Sequence, residues 1–227
     1  MRICIDLDGV IADFKNELLA MASHAESALV RSVKALLERD DDLAEQVDFD
    51  DSILNHFEIR IDELAIRLLS QAPLAKDLRL ITVGMKISND LERVGDEASK
   101  ISRRTIELNR EPALKEYVDI PAMAERAIKM LRESLDAFVS GDTDLARRVI
   151  PKDVRVNDLN LQIHRELAGY IAENPSNISR SLNLMVVAKS LERVADHAKN
   201  IAEEVVFVYE GLDIRHGRLG SHEHKAS

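Results

Sequence analysis

Two pairs of acidic residues recur in the sequence with one spacing. Glu92 stands four positions before Asp96, and Glu192 stands four positions before Asp196. On an α-helix, side chains four residues apart are neighbours on one face, so each pair would present two carboxylates one turn apart. Like charges at this spacing destabilise an exposed helix by about 0.3 kcal/mol. A multivalent cation would replace that repulsion with chelation.

Two further pairs of oxygen-bearing side chains share the four-residue spacing. Asp51 precedes Asn55, and Asp153 precedes Asn157. Oxygen ligands from two helices could hold Mg, Mn, Fe or Zn, whose identity the spacing does not select. The candidate metal ligands are therefore Glu92, Asp96, Glu192, Asp196, Asp51, Asn55, Asp153 and Asn157. The alternative is a solvated surface on which neighbouring arginines pair with these acids.

The sequence repeats itself in two halves. The segment L-E-R-V-G-D at 91–96 returns as L-E-R-V-A-D at 191–196, which is 100 positions later. Three other matches lie 102 positions apart: A-M-A at 20–22 and 122–124, D-L-A at 42–44 and 144–146, and the Asp/Asn pairs. Four matches in the same order indicate two homologous halves, at about 17–110 and 119–210.

Apolar residues in each half recur at steps of three and four, the period of helices that pack on neighbours. This pattern predicts helices at 18–38, 41–71 and 73–110 in the first half, and at 122–139 and 142–173 in the second. The stripe from Leu184 to Val208 predicts the sixth helix. Pro151 is expected to break or kink the 142–173 helix. The predicted fold class is all-α, with two homologous three-helix bundles, each up-down-up, side by side.

The helical period also predicts where the acids point. Glu92 and Asp96 fall opposite the apolar stripe of their helix, on a strip expected to face solvent. Asp51 and Asn55 fall about a quarter-turn from the stripe of theirs, together with Glu58. Asn160 stands at the matching position of the second half, so the second site has one carboxylate fewer and could differ in affinity or in the number of ions.

The predicted domain organisation has five parts. An atypical N-terminal segment, 1–16, precedes the first bundle at 17–110. A Pro-flanked linker at 111–118 leads to the second bundle at 119–210. The tail, 211–227, has no apolar stripe and is expected to be disordered.

Composition excludes several function classes. The formal net charge is −10, and no Lys/Arg-rich run is visible, which argues against a nucleic-acid binder. One cysteine permits no intrachain disulfide, and no apolar run is long enough to span a membrane, so a cytoplasmic protein without membrane insertion is expected. The sequence contains no Gly-rich phosphate loop and no signature of nucleophilic catalysis.

Several motifs resemble those of the PhoU family. These are L-A-K-D-L-R-L at 74–80, K-I-S-N-D-L-E-R-V-G-D at 86–96, L-E-R-V-A-D-H-A-K-N-I-A-E-E-V-V at 191–206, and the D-x-x-x-N spacings. The resemblance covers about 17–210, and the doubled E-x-x-x-D within L-E-R-V-x-D is its specific part. It implies a fold of two similar three-helix bundles, and metal clusters bound through Glu92, Asp96, Glu192 and Asp196.

The resemblance also implies a function. PhoU proteins are cytoplasmic, often dimeric, and not enzymes. They act beside the phosphate ABC transporter and the sensor histidine kinase of phosphate starvation, as negative regulators of uptake and signalling. The implied partners are thus the ATPase subunit of that transporter, the kinase, and a second copy of the chain.

The first residues depart from the family pattern. I-C-I-D-L-D-G-V at 3–10 resembles the first motif of haloacid-dehalogenase-like phosphatases, in which Asp6 would be the nucleophile and Asp8 the acid/base. Such an enzyme needs a parallel sheet, whereas only helical periodicity follows residue 14, so we interpret this resemblance as misleading. Asp13 could instead cap a helix that begins near Phe14.

The sequence is compatible with two other functions. The chain could accompany a low-affinity phosphate permease rather than the ABC transporter. It could also be a metal-storage or metal-sensing bundle, although a ferritin-like site needs Glu-x-x-His pairs that face the bundle interior.

Overall fold

The protein is all-helical in the part of the chain that the structure, a computed structural model, describes: residues 7–71, 74–114 and 119–215. The first half contains α1 (Leu7–Glu38), α2 (Asp41–Leu69) and α3 (Ala75–Asn109). The second half contains α4 (Asp119–Ser140), α5 (Thr143–Val149), α6 (Asp153–Glu173) and α7 (Ile178–Glu210). The predicted pair of three-helix bundles is confirmed, with α5 and α6 together standing for one helix.

Pro151 divides the second helix of the second half, as predicted. A 3₁₀ turn at Ile150–Lys152 separates α5 from α6. Proline has no backbone N–H to donate and its ring clashes with the preceding turn, so the α-helical hydrogen-bond ladder is interrupted there. The matching helix of the first half, α2, has no proline and is continuous from Asp41 to Leu69.

The internal repeat extends to the turns between helices. Asp40 caps α2 by accepting a hydrogen bond from the Leu43 amide at 2.9 Å, and Asp142 caps α5 by accepting from the Leu145 amide at 2.8 Å. The residues before these caps, Arg39 and Gly141, both have left-handed backbones, with φ of 57° and 70°. Both halves therefore turn from their first helix to their second by the same local device.

The third helix of each half occupies the centre of the molecule. α3 packs against α1 and α2 of its own half and against α7 of the other, and α7 packs against α4, α5 and α6 as well as α3. Most of the buried apolar side chains form one continuous core that runs through both halves. α3 and α7 consequently have neighbours on more than one side, which a single apolar stripe does not reveal.

The opening stretch continues directly into the first helix. α1 begins at Leu7, so the prediction that Asp13 caps a helix near Phe14 is wrong, because Asp13 lies inside α1. Val10 and Phe14 are buried in the core, and the described residues contain no β-strand for a phosphatase sheet. Asp6 and the side chain of Asp8 lie outside the described residues.

Two predicted segments are described only in part. Residues 111–114 follow α3, and the rest of the predicted linker, 115–118, lies outside the described residues. Of the tail, 211–215 are described, and Arg215 pairs with Glu204 of α7 at 2.9 Å. The predicted disorder of 216–227 concerns residues that the structure does not describe. None of the described helices is long and apolar enough to cross a membrane.

Candidate metal centres

The first cluster lies between α2 and α3 and comprises Asp51, Glu58, Glu92 and Asp96. Burial, the adjacent charge of Asp96, and the charges of Glu58 and Asp51 raise the pKa of Glu92, against the opposing effect of Arg93. These electrostatic effects require that the acidic strips of the two helices face each other. The structure thus brings together three of the four residues predicted as ligands in this half.

Neutral donors and one arginine surround the first cluster. Ser99 donates to Asp51 Oδ1 at 3.1 Å, and Asn89 donates to Glu58 Oε1 at 3.4 Å. Arg93 reaches both acids of its own helix, at 3.1 Å from Asp96 and 3.3 Å from Glu92. The fourth predicted ligand, Asn55, is exposed on α2, one turn after Asp51.

The second cluster lies between α6 and α7 and comprises Asp153, Asn157, Asn160, Glu192 and Asp196. Burial and the charges of Asp153 and Glu192 raise the pKa of Asp196, and the charges of two lysines oppose this. Asp153 is only 5% exposed. All four residues predicted as ligands in the second half therefore lie along the contact between α6 and α7.

Three buried oxygens that α6 contributes to the second cluster lack a hydrogen-bond donor. Asn157 donates its amide to Asp153 Oδ2 at 3.2 Å. Oδ1 of Asp153, Asn157 and Asn160 accepts no hydrogen bond within the described part of the chain. Leaving a buried acceptor unsatisfied costs about 1–3 kcal/mol, so these oxygens favour a bound donor or cation.

The donor set fits a multivalent cation that prefers oxygen. Carboxylate and amide oxygens are the ligands that Mg²⁺, Mn²⁺ and related ions take in proteins. Among the residues that the structure describes, however, no three His, Cys, Asp or Glu side chains converge into a ready metal site. The acids are instead arranged around Arg93 and two lysines of the protein, which a bound ion would have to displace.

The prediction that Glu92 faces solvent is wrong, and Asp96 is half-buried, with its side chain 32% exposed. The Glu92 side chain is 14% exposed, as is that of Glu192. The helical period fixes the angle between a residue and the apolar stripe. How much of the helix surface is buried depends on how many other helices pack around that helix. Because α3 contacts α1, α2 and α7, its acidic strip is partly covered as well.

Sequence reasoning left several residues of the two sites out of the ligand set. Glu58 and Asn160 were placed on the correct strips but not among the ligands, and Lys189 and Lys199 were not considered. Each of these lysines has a counterpart 100 positions earlier, Asn89 and Ser99. An alignment of the two halves would therefore have shown that the second half has two lysines beside its acidic pair where the first half has neutral residues.

Fold and clusters together define a double three-helix-bundle protein with an oxygen-lined site in each half. The PhoU domain family matches the chain twice, at 18–105 and at 120–205. These matches fall on the two bundles and include both E-x-x-x-D pairs. The chain belongs to the PhoU family.

Similar proteins cover nearly the whole chain. The phosphate-specific transport system accessory protein PhoU homolog of Pseudomonas aeruginosa is 42% identical over 208 residues, 91% of this chain and 86% of that protein. The phosphate-specific transport system accessory protein PhoU of Escherichia coli (strain K12) is 32% identical over 207 residues, 91% of this chain and 86% of that protein.

Two solved structures share the fold. The crystal structure of PhoU from Pseudomonas aeruginosa matches with a TM-score of 0.89 at 40% identity, over 91% of this chain and 100% of that one. That of the phosphate transport system regulatory protein PhoU from Streptococcus pneumoniae matches with a TM-score of 0.85 at 23% identity, over 92% and 99%. The second likeness supports the fold alone.

The raised pKa values of Glu92 and Asp196 predict a pH effect on stability. Because the pKa values of Glu92 and Asp196 are raised in the folded state, folding takes up protons, and stability falls as the pH rises above the unfolded values near 4. In the presence of a chelator that keeps the sites free of metal, Glu92→Gln and Asp196→Asn each remove a repelling carboxylate. Each is expected to raise Tm at pH 7 by about 1–2 °C. Thermal unfolding from pH 4 to pH 7.5 would measure this.

The gain in Tm should shrink toward pH 4, where the wild-type carboxyls are themselves protonated. Asp158→Asn, which neutralises an exposed acid of α6 outside the clusters, is the matched control and should leave the profile close to wild type. A lower Tm for both cluster variants at pH 7 would contradict the electrostatic interpretation.

Proposed function

We propose that this protein is a regulator of phosphate uptake and of phosphate-starvation signalling. The observation that carries the proposal is its 42% identity, through both halves, to a phosphate-specific transport system accessory protein homolog. Its partners are the ATPase subunit of the phosphate ABC transporter and the phosphate sensor histidine kinase. It acts on both as a negative regulator, in the cytoplasm, as a homodimer.

The protein does not act as an enzyme in this proposal. Its two sites consist of carboxylates, amides and their counter-cations, and such groups bind and orient ions. The acidic clusters hold multivalent cations, with Asp51, Glu58, Glu92 and Asp96 as oxygen donors in the first half. Asp153, Asn157, Asn160, Glu192 and Asp196 serve in the second. A bound ion would tie the second helix of each half to the third.

Capture of partners from phosphate-replete cells tests the regulatory role. The wild-type protein is expected to retain the transporter ATPase subunit and the kinase, both identified by mass spectrometry. The Glu92→Ala/Asp96→Ala/Glu192→Ala/Asp196→Ala variant is expected to lose bound metal and to retain less of both partners. Capture of a low-affinity phosphate permease instead would support the alternative role, and capture of neither class would overturn the proposal.

The matched control removes the same number of acids from exposed positions outside the clusters. It carries alanine at Glu45, Glu63, Asp158 and Glu173. Since its net charge equals that of the cluster variant, it separates an effect of the sites from an effect of overall charge. The control is expected to keep both metal and partners.

Metal binding by itself is tested by stability. A ligand present at 100 times its Kd stabilises a folded protein by about 2.7 kcal/mol, which for a chain of this size corresponds to a rise in Tm of about 5–10 °C. Mn²⁺ is expected to produce such a rise in the wild-type protein and in the charge-matched control. An equal rise in the cluster variant would show that the ion binds elsewhere.

A further inference from the structure

The two clusters differ at positions that the internal repeat places in register. With the offset of 100 that relates α3 to α7, Asn89 matches Lys189 and Ser99 matches Lys199. The first half therefore has two neutral donors where the second has two ammonium groups. The acid pairs that stand between these positions in the sequence, Glu92/Asp96 and Glu192/Asp196, are the same in type and spacing.

Each of the four side chains contacts an acid of its own cluster. In the first, Asn89 donates to Glu58 at 3.4 Å and Ser99 donates to Asp51 at 3.1 Å. In the second, Lys199 Nζ lies 3.4 Å from Asp153 Oδ2, and Lys189 pairs with Glu192.

Both lysines also act on a third acid of the second cluster. Their charges lower the pKa of Asp196, against the burial and the neighbouring acids that raise it. Both ammonium groups are partly exposed and still lie close enough to the cluster to act on more than one of its carboxylates.

The net charge of the two clusters is consequently unequal. The first sets four carboxylates against the single guanidinium of Arg93, which leaves three negative charges. The second sets the three carboxylates of Asp153, Glu192 and Asp196 against two ammonium groups, which leaves one. Arg193, the counterpart of Arg93, instead pairs with Glu97 across the contact between the halves, at 3.1 Å.

The second cluster nevertheless keeps the donors of a cation site. Asp153 is 5% exposed and Asn160 is 9% exposed, and Oδ1 of each accepts no hydrogen bond from any residue the structure describes. Its oxygens are thus in place, while part of the charge that a cation would supply already comes from the protein.

We propose that Lys189 and Lys199 are built-in counterions of the second cluster, so that the first cluster is the tighter site for divalent cations. This inference rests on the proposed binding of cations by both clusters. A divalent ion entering the second site must displace two ammonium groups and then bind beside their charge. An ion entering the first site displaces one cation, Arg93, in place of two.

Exchange of the matched residues between the halves tests the inference. Mn²⁺ titrations, read from the electron paramagnetic resonance signal of the free ion, are expected to show a tight and a weak class of site in the wild type. Lys189→Asn/Lys199→Ser should tighten the weak class by about tenfold for each lysine removed. The reciprocal Asn89→Lys should weaken the tight class by a similar factor.

Assignment and charge controls use three more variants. Glu92→Ala/Asp96→Ala is expected to abolish the tight class, and Glu192→Ala/Asp196→Ala the weak class. Lys76→Asn/Lys129→Ser removes the same charge from exposed sites outside the clusters and should leave both affinities near wild type. The first two variants assign the affinity classes to the clusters, and the third separates local contact with the acids from overall charge.

The possible failures are distinguishable. If the wild-type protein binds no Mn²⁺, the proposed cation sites fail, and this inference fails with them. If both clusters bind with one affinity and the exchange changes nothing, the counterion inference is wrong while cation binding stands. Assignment of the tight class to Glu192 and Asp196 would likewise overturn it.

Discussion

Phe14→Ala is expected to lower the free energy of unfolding by about 3–5 kcal/mol, the usual cost of truncating a buried phenylalanine. Phe14 is fully buried, and its ring lies against Gly84 of α3 so closely that a Cβ built on that glycine would be 2.5 Å from the ring. The ring therefore fills a space that a glycine on the facing helix leaves open. Guanidinium unfolding followed by circular dichroism would measure the loss.

The neighbouring Lys15→Ala is the control for Phe14→Ala. Lys15 is exposed on the same turn of α1, and its replacement should change stability by no more than about 0.5 kcal/mol. If residues 7–16 were an appended remnant that does not pack on the bundle, Phe14→Ala would be as mild as Lys15→Ala. That outcome would contradict the observed role of the opening stretch as the first turns of α1.

Lys100→Ala/Arg193→Ala is expected to destabilise the protein by about 3 kcal/mol, because it leaves a buried carboxylate without a counter-charge. The carboxylate is that of Glu97, which is 4% exposed on α3 where α3 meets α7. Lys100 and Arg193 lie 2.8 Å and 3.1 Å from its Oε1. Adding Glu97→Gln to the double variant removes the uncompensated charge and should restore at least half of the loss.

The contribution of Glu97 to the pH dependence of stability should change sign in this double variant. Burial alone would raise the pKa of Glu97, but hydrogen bonds from Lys100, Ser190 and Arg193 outweigh it and lower the pKa. In the wild type, this group therefore contributes stability above the unfolded pKa and loses it as the pH falls. In the double variant, burial is opposed by Ser190 alone, so Glu97 should lower the stability as the pH rises from about 4, and the fall with pH should be steeper than in the wild type.

Urea unfolding from pH 4 to pH 7.5 would compare the wild type, the double variant and the triple variant that adds Glu97→Gln. The triple variant has no titrating group at this position and should lie between the two slopes. Equal slopes for wild type and double variant would show that the ion pair does not set the protonation of Glu97. The comparison matters because Glu97 and Arg193 connect the two halves.

The helices and their duplication follow from the order of the amino acids alone. The period of apolar residues from Leu54 to Leu68 and from Val156 to Tyr170 placed α2 and α6, and Pro151 placed the break before α6. These features are local, since a helix is specified by the spacing of its apolar residues, by its capping side chains and by prolines, which have no backbone N–H to donate. For the bounds of the helices, the same local logic failed at the start of the chain, where Asp13 was taken for a cap.

The grouping of the acids, in contrast, depends on contacts between helices. Spacing put Glu92 and Asp96 on one face, but their partial burial and their approach to Asp51 and Glu58 depend on α2 covering that side of α3. The roles of Lys189 and Lys199 likewise required the contact of α7 with α6. A helical period fixes angles about one axis, whereas charge, burial and affinity at a site depend on the neighbouring helices, which come from distant parts of the chain.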